Sequence, residues 1–265
     1  MFLLIEHFGE CNMKLCGQFS IHALLIAVIV LTGTSKVQAD ILLVPSQYGT
    51  IQEAISASQP GDTVQIADGT YSGAGNYNMD FNGKAITVQS ENGPENCIIQ
   101  CTGTYNRGFT FNSGETNSSV LRGVTIRDGH FEYNSGGAIN IIASSPIITE
   151  CIFINNYAMF GGGVHVENSD AIIAHCQFIE NTADVPGTSL GAEGGGADCY
   201  SGGVPTFFNC LFRGNTAKSF GGGISTDNCD VHLINCTFTE NECEIGAGVC
   251  GRSADPTIIN CIIWN

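Results

Sequence analysis

Five cysteines beat a period through the C-terminal half of this chain. Cys151, Cys176, Cys210, Cys236 and Cys261 fall 25, 34, 26 and 25 residues apart. Two positions after each comes a bulky apolar residue: Phe153, Phe178, Phe212, Phe238 and Ile263. Three positions further, each complete repeat carries an asparagine: Asn156, Asn181, Asn215 and Asn241. Glycine-rich groups follow at 161–163, 194–196, 221–223 and 246–248. A fixed period in this range marks a stack of like structural units, and it constrains the fold more than any local signal.

The unit is made of strands. Its apolar runs are short, alternating and rich in Ile, Val and Phe, with Gly, Asn and Asp between them. Parallel strands normally need a helical crossover. A repeat of about 25 residues without a helix leaves a coil, with three short strands and three turns per circuit. Parity supports the coil. Ile148, Ile173, Phe207, Leu233 and Ile258 stand three positions before the cysteines. Positions three apart cannot share a face of a straight strand, so a bend lies between them. The residue before each cysteine is Glu150, His175, Asn209, Asn235 or Asn260, and asparagine tolerates the left-handed backbone of a sharp bend. Stacked asparagines in that column are expected to bond from rung to rung through their amides. The glycine groups mark another corner.

These residues resemble the right-handed parallel β-helix of the pectin lyase-like superfamily. Gly-Gly-Ala-Ile at 136–139, with Phe-Ile-Asn-Asn at 153–156, Phe-Ile-Glu-Asn at 178–181, Phe-Arg-Gly-Asn at 212–215 and Phe-Thr-Glu-Asn at 238–241, is also similar to the repeat of chlamydial-type polymorphic outer membrane proteins. The resemblance runs from about Ile41 to the end of the sequence. It implies an all-β solenoid and leaves the activity open, because function sits in sites grafted on folds.

Residues 13–39 read as a secretory signal, with Met13-Lys14 opening it, Ile21–Thr32 as its apolar core and Val37-Gln38-Ala39 as a small-residue cleavage site. The apolar core is short for a membrane span. Residues 1–12 suit a signal poorly, so Met13 is a candidate true start. The expected organisation is a signal region at 1–39 and one β-helix domain at 40–265, truncated at its C-terminal end and secreted or held at the cell surface. The net charge is −16, and positions 40–265 carry all of that imbalance. Such a surface disfavours nucleic acid and anionic membranes, and no membrane insertion is expected of the mature domain. Eleven cysteines remain after Ala39, so at least one is unpaired. The five-cysteine column is read as buried thiols, because parallel side-chain vectors fit a disulfide poorly. Disulfides are expected instead among Cys97, Cys101, Cys229 and Cys243.

At the N-terminal side, Thr50-Ile51-Gln52-Glu53 forms a capping box that opens a short helix to about Ser58. Its Ile51, Ala54 and Ile55 are placed over the open end of the coil. Pro60-Gly61-Asp62 then turns into a strand at 63–67.

The strand after each glycine corner projects two residues outward per rung: Asn140 and Ile142, His165 and Glu167, Asp198 and Tyr200, Ser225 and Asp227, Cys250 and Arg252. The turn before Asp198 is nine residues longer than in the shortest repeats and contains Asp184, Pro186 and Glu193. Long loops on rigid scaffolds often carry binding sites. His165, Asp198, Tyr200 and Asp227 are therefore the candidate binding residues. The resemblance implies that this face is a sugar groove. In lyases of that superfamily, carboxylates hold Ca2+ and Arg or Lys acts as base; hydrolases use a carboxylate pair. Glu167, Asp198, Asp227 and Arg252 are the residues that could imitate either arrangement. No Arg-Ile-Lys or Asn-Thr-Asp signature is present. Asp198 and Asp227 are offset by two residues on adjacent rungs, about 8 Å apart. The competing reading is a row of ordinary solvated side chains. His175, His232 and the acidic turn Glu240, Glu242 and Glu244 are weaker candidates, the last for Ca2+. Asn117 and Asn235 head glycosylation sequons. No metal ligand set is assigned. Two readings stand: a β-helix module for binding, adhesion or display with a polysaccharide or cell-surface ligand, and a polysaccharide lyase or glycoside hydrolase.

Overall fold

The computed structural model describes residues 39–187 and 191–264. The proposed signal region falls on residues outside this range. From Ile41 the chain winds as a parallel β-helix. Among the described residues the strands pair in parallel, one turn of the coil with the next, and a single isolated bridge, Asn106–His130, is antiparallel. Three long sheets run its length among the described residues. The nine-stranded first sheet includes Ile147–Thr149, Ile172–Ala174 and Thr206–Phe208; the eight-stranded second includes Ile152–Ile154, Gln177–Ile179 and Leu211–Arg213; the seven-stranded third includes Val164–Glu167, Ala197–Tyr200 and Ile224–Asp227.

A fourth, short sheet was not expected. Its four strands are His130–Ser135, Tyr157–Phe160, Thr182–Ala183 and Thr216–Ala217, inserted between the second and third sheets. The middle rungs therefore have four sides and four corners. Each corner is a left-handed residue: Asn235 before the cysteine (φ 56°), Glu240 before the ladder asparagine (φ 57°), Gly246 (φ 70°) and Ser253 (φ 47°). The bend before each cysteine holds in all five repeats, at Glu150 and His175 as well as at the asparagines. At the glycine corner, the second glycine is needed for space. A Cβ on Gly195 would lie 2.5 Å from the carbonyl oxygens of both Thr216 and Gly222.

The interior is a set of files. Phe178 stacks on Phe212 with centroids 4.4 Å apart and planes 7° apart, and Phe212 stacks on Phe238 at 4.6 Å and 7°. Cys151, Cys176, Cys210 and Cys236 are buried. Each thiol reaches a carbonyl one rung back: Cys176 to Ile148 at 3.7 Å, Cys210 to Ile173 at 3.4 Å, Cys236 to Phe207 at 3.4 Å. The rung-to-rung amide bonding lies one corner away from its expected column. Asn156 Nδ2 donates to Asn181 Oδ1 (2.9 Å), Asn181 to Asn215 (3.0 Å), and Asn215 to Asn241 (2.9 Å), all buried. The asparagines before the cysteines turn the chain, and Asn209 and Asn235 point outward. An inward amide has no water to satisfy it, so it must bond along the file; an outward one is not so bound.

Cys97, Cys101, Cys229 and Cys243 are free thiols, against the expectation of disulfides. Burial pushes Cys97 and Cys101 up to about 12. The helix spans Ile51–Ala57, with the capping box complete: Glu53 N donates to Thr50 Oγ1 (3.2 Å) and Thr50 N to Glu53 Oε2 (3.1 Å). Its Ile51, Ala54 and Ile55 join the core of Leu42, Val44 and Val64. At the other end, Ile258, Ile263 and Trp264 are exposed. No helix among the described residues is long and apolar enough to cross a membrane, which says nothing of a β-barrel.

Candidate functional site

The third sheet carries two columns on its outer face, in strict register. Asn140, His165, Asp198, Ser225 and Cys250 form one; Ile142, Glu167, Tyr200, Asp227 and Arg252 form the other. The alternation is as the parity of the repeat requires. The solvent exposure is not. His165 retains 4% of its accessible surface and Asp198 3%. The cause is the fourth side of the rung. It brings Ser135, Phe160, Glu193, Phe220 and Ile245 into a bridged row just before the glycine corners. This row stands beside the first column as a wall, and the floor between wall and sheet is shielded from water.

The result is a cavity of about 420 Å³ lined by Phe160, His165, Glu167, Glu193, Asp198, Tyr200, Asp227 and Arg252, with Ser135 at its edge. Its charges fall into two clusters. Asp198 Oδ2 lies 2.9 Å from His165 Nδ1, and Glu167 Oε2 lies 3.7 Å from His165 Nε2. In the second cluster, Arg252 Nη2 donates to Asp227 Oδ2 at 2.9 Å and to Glu193 Oε2, which also accepts from Ser225 Oγ at 3.4 Å. The Arg252 guanidinium lies 4.5 Å from the centroid of the Phe220 ring. Tyr200 is 45% exposed at the rim.

Glu167, Asp198 and Asp227 therefore do not converge on one point. The two-residue offset of Asp198 and Asp227 persists in the register, where Asp198 is level with Ser225 and Tyr200 with Asp227. Among the described residues no group of three or more His, Cys, Asp or Glu side chains is arranged to hold a metal. That includes the turn bearing Glu240, Glu242 and Glu244. His175 lies at its corner, 3.5 Å from Asn209, and His232 lies on the first sheet; neither lines the cavity.

Glu193 is the site residue that sequence reading passed over. In the sequence it lies in the long turn, outside the outward columns. The signal was present: the residue before each glycine corner is Phe160, Phe220 or Ile245, and in the long repeat that place is taken by a carboxylate. Burial raises Glu193 above its ordinary range, Arg252 pulling against that and the Asp198 charge adding to it.

The profile of the right handed beta helix region matches residues 62–238, more than half of the chain. The chain belongs to the right-handed β-helix family. Among solved structures this chain is similar to rice weevil pectin methyl esterase, with 11% identity over 84% of this chain and 90% of that one and a TM-score of 0.36. It is also similar to ORF18 of Geobacillus virus E2, with 13% identity over 77% of this chain and 56% of that one and a TM-score of 0.32. No curated protein matches.

Proposed function

We propose that this β-helix is a secreted or surface-displayed binding module that holds a carbohydrate chain in the groove between the third sheet and the Phe160–Phe220 wall. The observation that carries the reading is the division of four carboxylates between two partners, His165 and Arg252. Glycoside hydrolysis needs two carboxyl groups facing one reacting centre across a fixed gap. Here Asp198 and Glu167 face His165, and Asp227 and Glu193 face Arg252. Each is held by an internal partner, which makes a rigid polar surface with oxygens left over to accept hydroxyl hydrogens. Tyr200 at the rim and Phe160 in the wall supply apolar faces on which a sugar ring can lie. The resemblance of the repeat to chlamydial-type polymorphic outer membrane proteins and the signal-like N-terminus support display outside the cell.

One observation favours the enzymatic alternative. Glu193, pushed up by burial, is the carboxyl in this groove best suited to hold a proton as a general acid. The two readings separate in one experiment. The protein is titrated with neutral and uronate oligosaccharides by calorimetry, with and without Ca2+, and the mixtures are analysed for products. Binding weakened tenfold or more by Tyr200→Ala, with intact sugars recovered, is the expected result. Products whose formation stops in Asp198→Ala or Glu193→Gln would establish a lyase or hydrolase instead.

A further inference from the structure

On the rungs just before the groove, the outer face carries a different pocket. It measures about 470 Å³ and is lined by Tyr105, Arg107, Thr110, Phe131, Asn134 and Asn140, with Asn78 and Ile142 completing it. No acidic side chain lines it, in a chain with 25 Asp and Glu against nine Lys and Arg.

Arg107 is 4% exposed. Its guanidinium carbon lies 3.8 Å from the centroid of the Phe131 ring. Among the described residues its side chain makes no ion pair, and its buried Nη1 has no hydrogen-bond partner. Other cations are provided for: Arg122 by Glu150, Arg127 by Asp128, Arg252 by Asp227 and Glu193, and Lys84 by the carbonyls of Ile55, Ser56 and Ser58. A buried charge without a counter-charge is strongly disfavoured, and buried charges are normally paired. Across the same pocket, Asn140 is 8% exposed and its buried Oδ1 also lacks a partner. One pocket thus holds a buried cation whose Nη1 is unpaired and a buried unpaired acceptor, with the rings of Phe131 and Tyr105 in its lining.

We propose that this pocket binds a hydroxy acid, its carboxylate on Arg107 and its hydroxyl donating to Asn140 Oδ1. A planar carboxylate matches the guanidinium fork in two parallel bonds. A single negative charge cancels the single positive one; a dianion would leave excess charge under the Phe131 ring. The acceptor on Asn140 demands a donor on the same ligand, which a simple carboxylate lacks. Burial lowers Arg107 to about 10, so the guanidinium remains a cation at neutral pH. The pocket shares the outer face with the groove but none of the groove's lining residues, so the proposal stands whether or not the groove binds sugar.

The hydroxy acid could be a free small acid or an acidic sugar of a glycan. The test on the whole secreted chain therefore uses lactate and glucuronate, with glucose and inorganic sulfate beside them, read by calorimetry and thermal shift. One or both acids bind and raise the melting temperature; glucose and sulfate do not. Glucuronate tenfold tighter than lactate assigns the acidic sugar, and equal affinities assign the small acid. Arg107→Met removes binding while keeping or raising the melting temperature without ligand, since an apolar side chain relieves the uncompensated charge. Asn140→Asp, which places a fixed carboxylate in the pocket, weakens binding tenfold or more and serves if the Arg107 variant does not fold. Failure of both acids to bind, unchanged affinity in both variants, or sulfate binding as well as the acids would overturn the proposal. Tyr200→Ala, by contrast, leaves this binding unchanged.

Discussion

The rungs from Ile147 onward and the rungs before His130 bury polar groups by opposite means. In the later rungs one residue type at one position repeats the same solution from rung to rung. Asn181 accepts from Asn156 N (3.1 Å) and Asn156 Nδ2 (2.9 Å), and donates to Phe153 O (3.0 Å) and Asn215 Oδ1 (3.0 Å). The same four bonds recur at Asn215. In the early rungs the satisfied buried groups each have a private arrangement. Glu115 gathers Gly83 N, Ser113 N and Ser144 Oγ; Asp62 gathers Asp40 N and Gln59 N; Lys84 caps three carbonyls. A shared file makes each rung depend on its neighbours, and a private cluster does not.

The sharpest way to break this contrast is Asn181→Ala. It strands Asn156 N–H, Asn156 Nδ2 and Phe153 O inside the coil. At about 1–3 kcal/mol for each buried unsatisfied group, the expected loss is about 3–9 kcal/mol. Denaturant unfolding measures it, and hydrogen exchange should show lost protection in the rungs on both sides. Glu115→Ala comes next. It frees three donors as well, but Gly83 and Ser113 are exposed, so water can satisfy two of them and only Ser144 Oγ is stranded, and about 2–4 kcal/mol is expected. Its exchange changes should stay near Gly83, Ser113 and Ser144. If the two variants lose equal stability and spread equally far, the early and late rungs do not differ in cooperativity.

The same contrast explains what the sequence revealed. Where rungs are equivalent, cysteine, phenylalanine and glycine recur at fixed offsets, and the files, the left-handed bends and the outward columns of the third sheet could be read by parity alone. The short fourth sheet could not. Thr182–Ala183 and Thr216–Ala217 are two residues long, too short for alternation to show. Missing that side meant missing the wall, and with it the burial of His165 and Asp198. Glu193 was hidden for a related reason: the insertion puts it 12 residues after Asn181, where Phe160 and Phe220 follow their asparagines by 4 and 5, and only the glycine corner keeps it in line. The Arg107 pocket left no trace in the repeat, because a solution used once has no period.

The smallest expected effect tests the contrast through acid titration. Glu193 in the late rungs and Asp62 in the early ones are shifted in opposite directions. Burial, the largest cause, raises Glu193 from its ordinary 4.5, with Arg252 opposing. A carboxyl raised on folding favours the native state when protonated, so its contribution is present below pH 4.5 and is lost as pH rises through the native value. Asp62 is lowered from 3.8, first by the hydrogen bond from Asp40 N, then by that from Gln59 N, with burial opposing. Its contribution is present above pH 3.8 and is lost as pH falls through the native value. Glutamine at 193 mimics the protonated acid, so Glu193→Gln should gain on the wild type as pH rises from 4 to 7. Asp62→Asn should run the other way, losing ground to the wild type as pH rises from 2 to 5. Denaturant midpoints across those two windows measure both slopes. Parallel slopes would mean that burial does not dominate at Glu193, and that Arg252 holds it as firmly as the backbone holds Asp62.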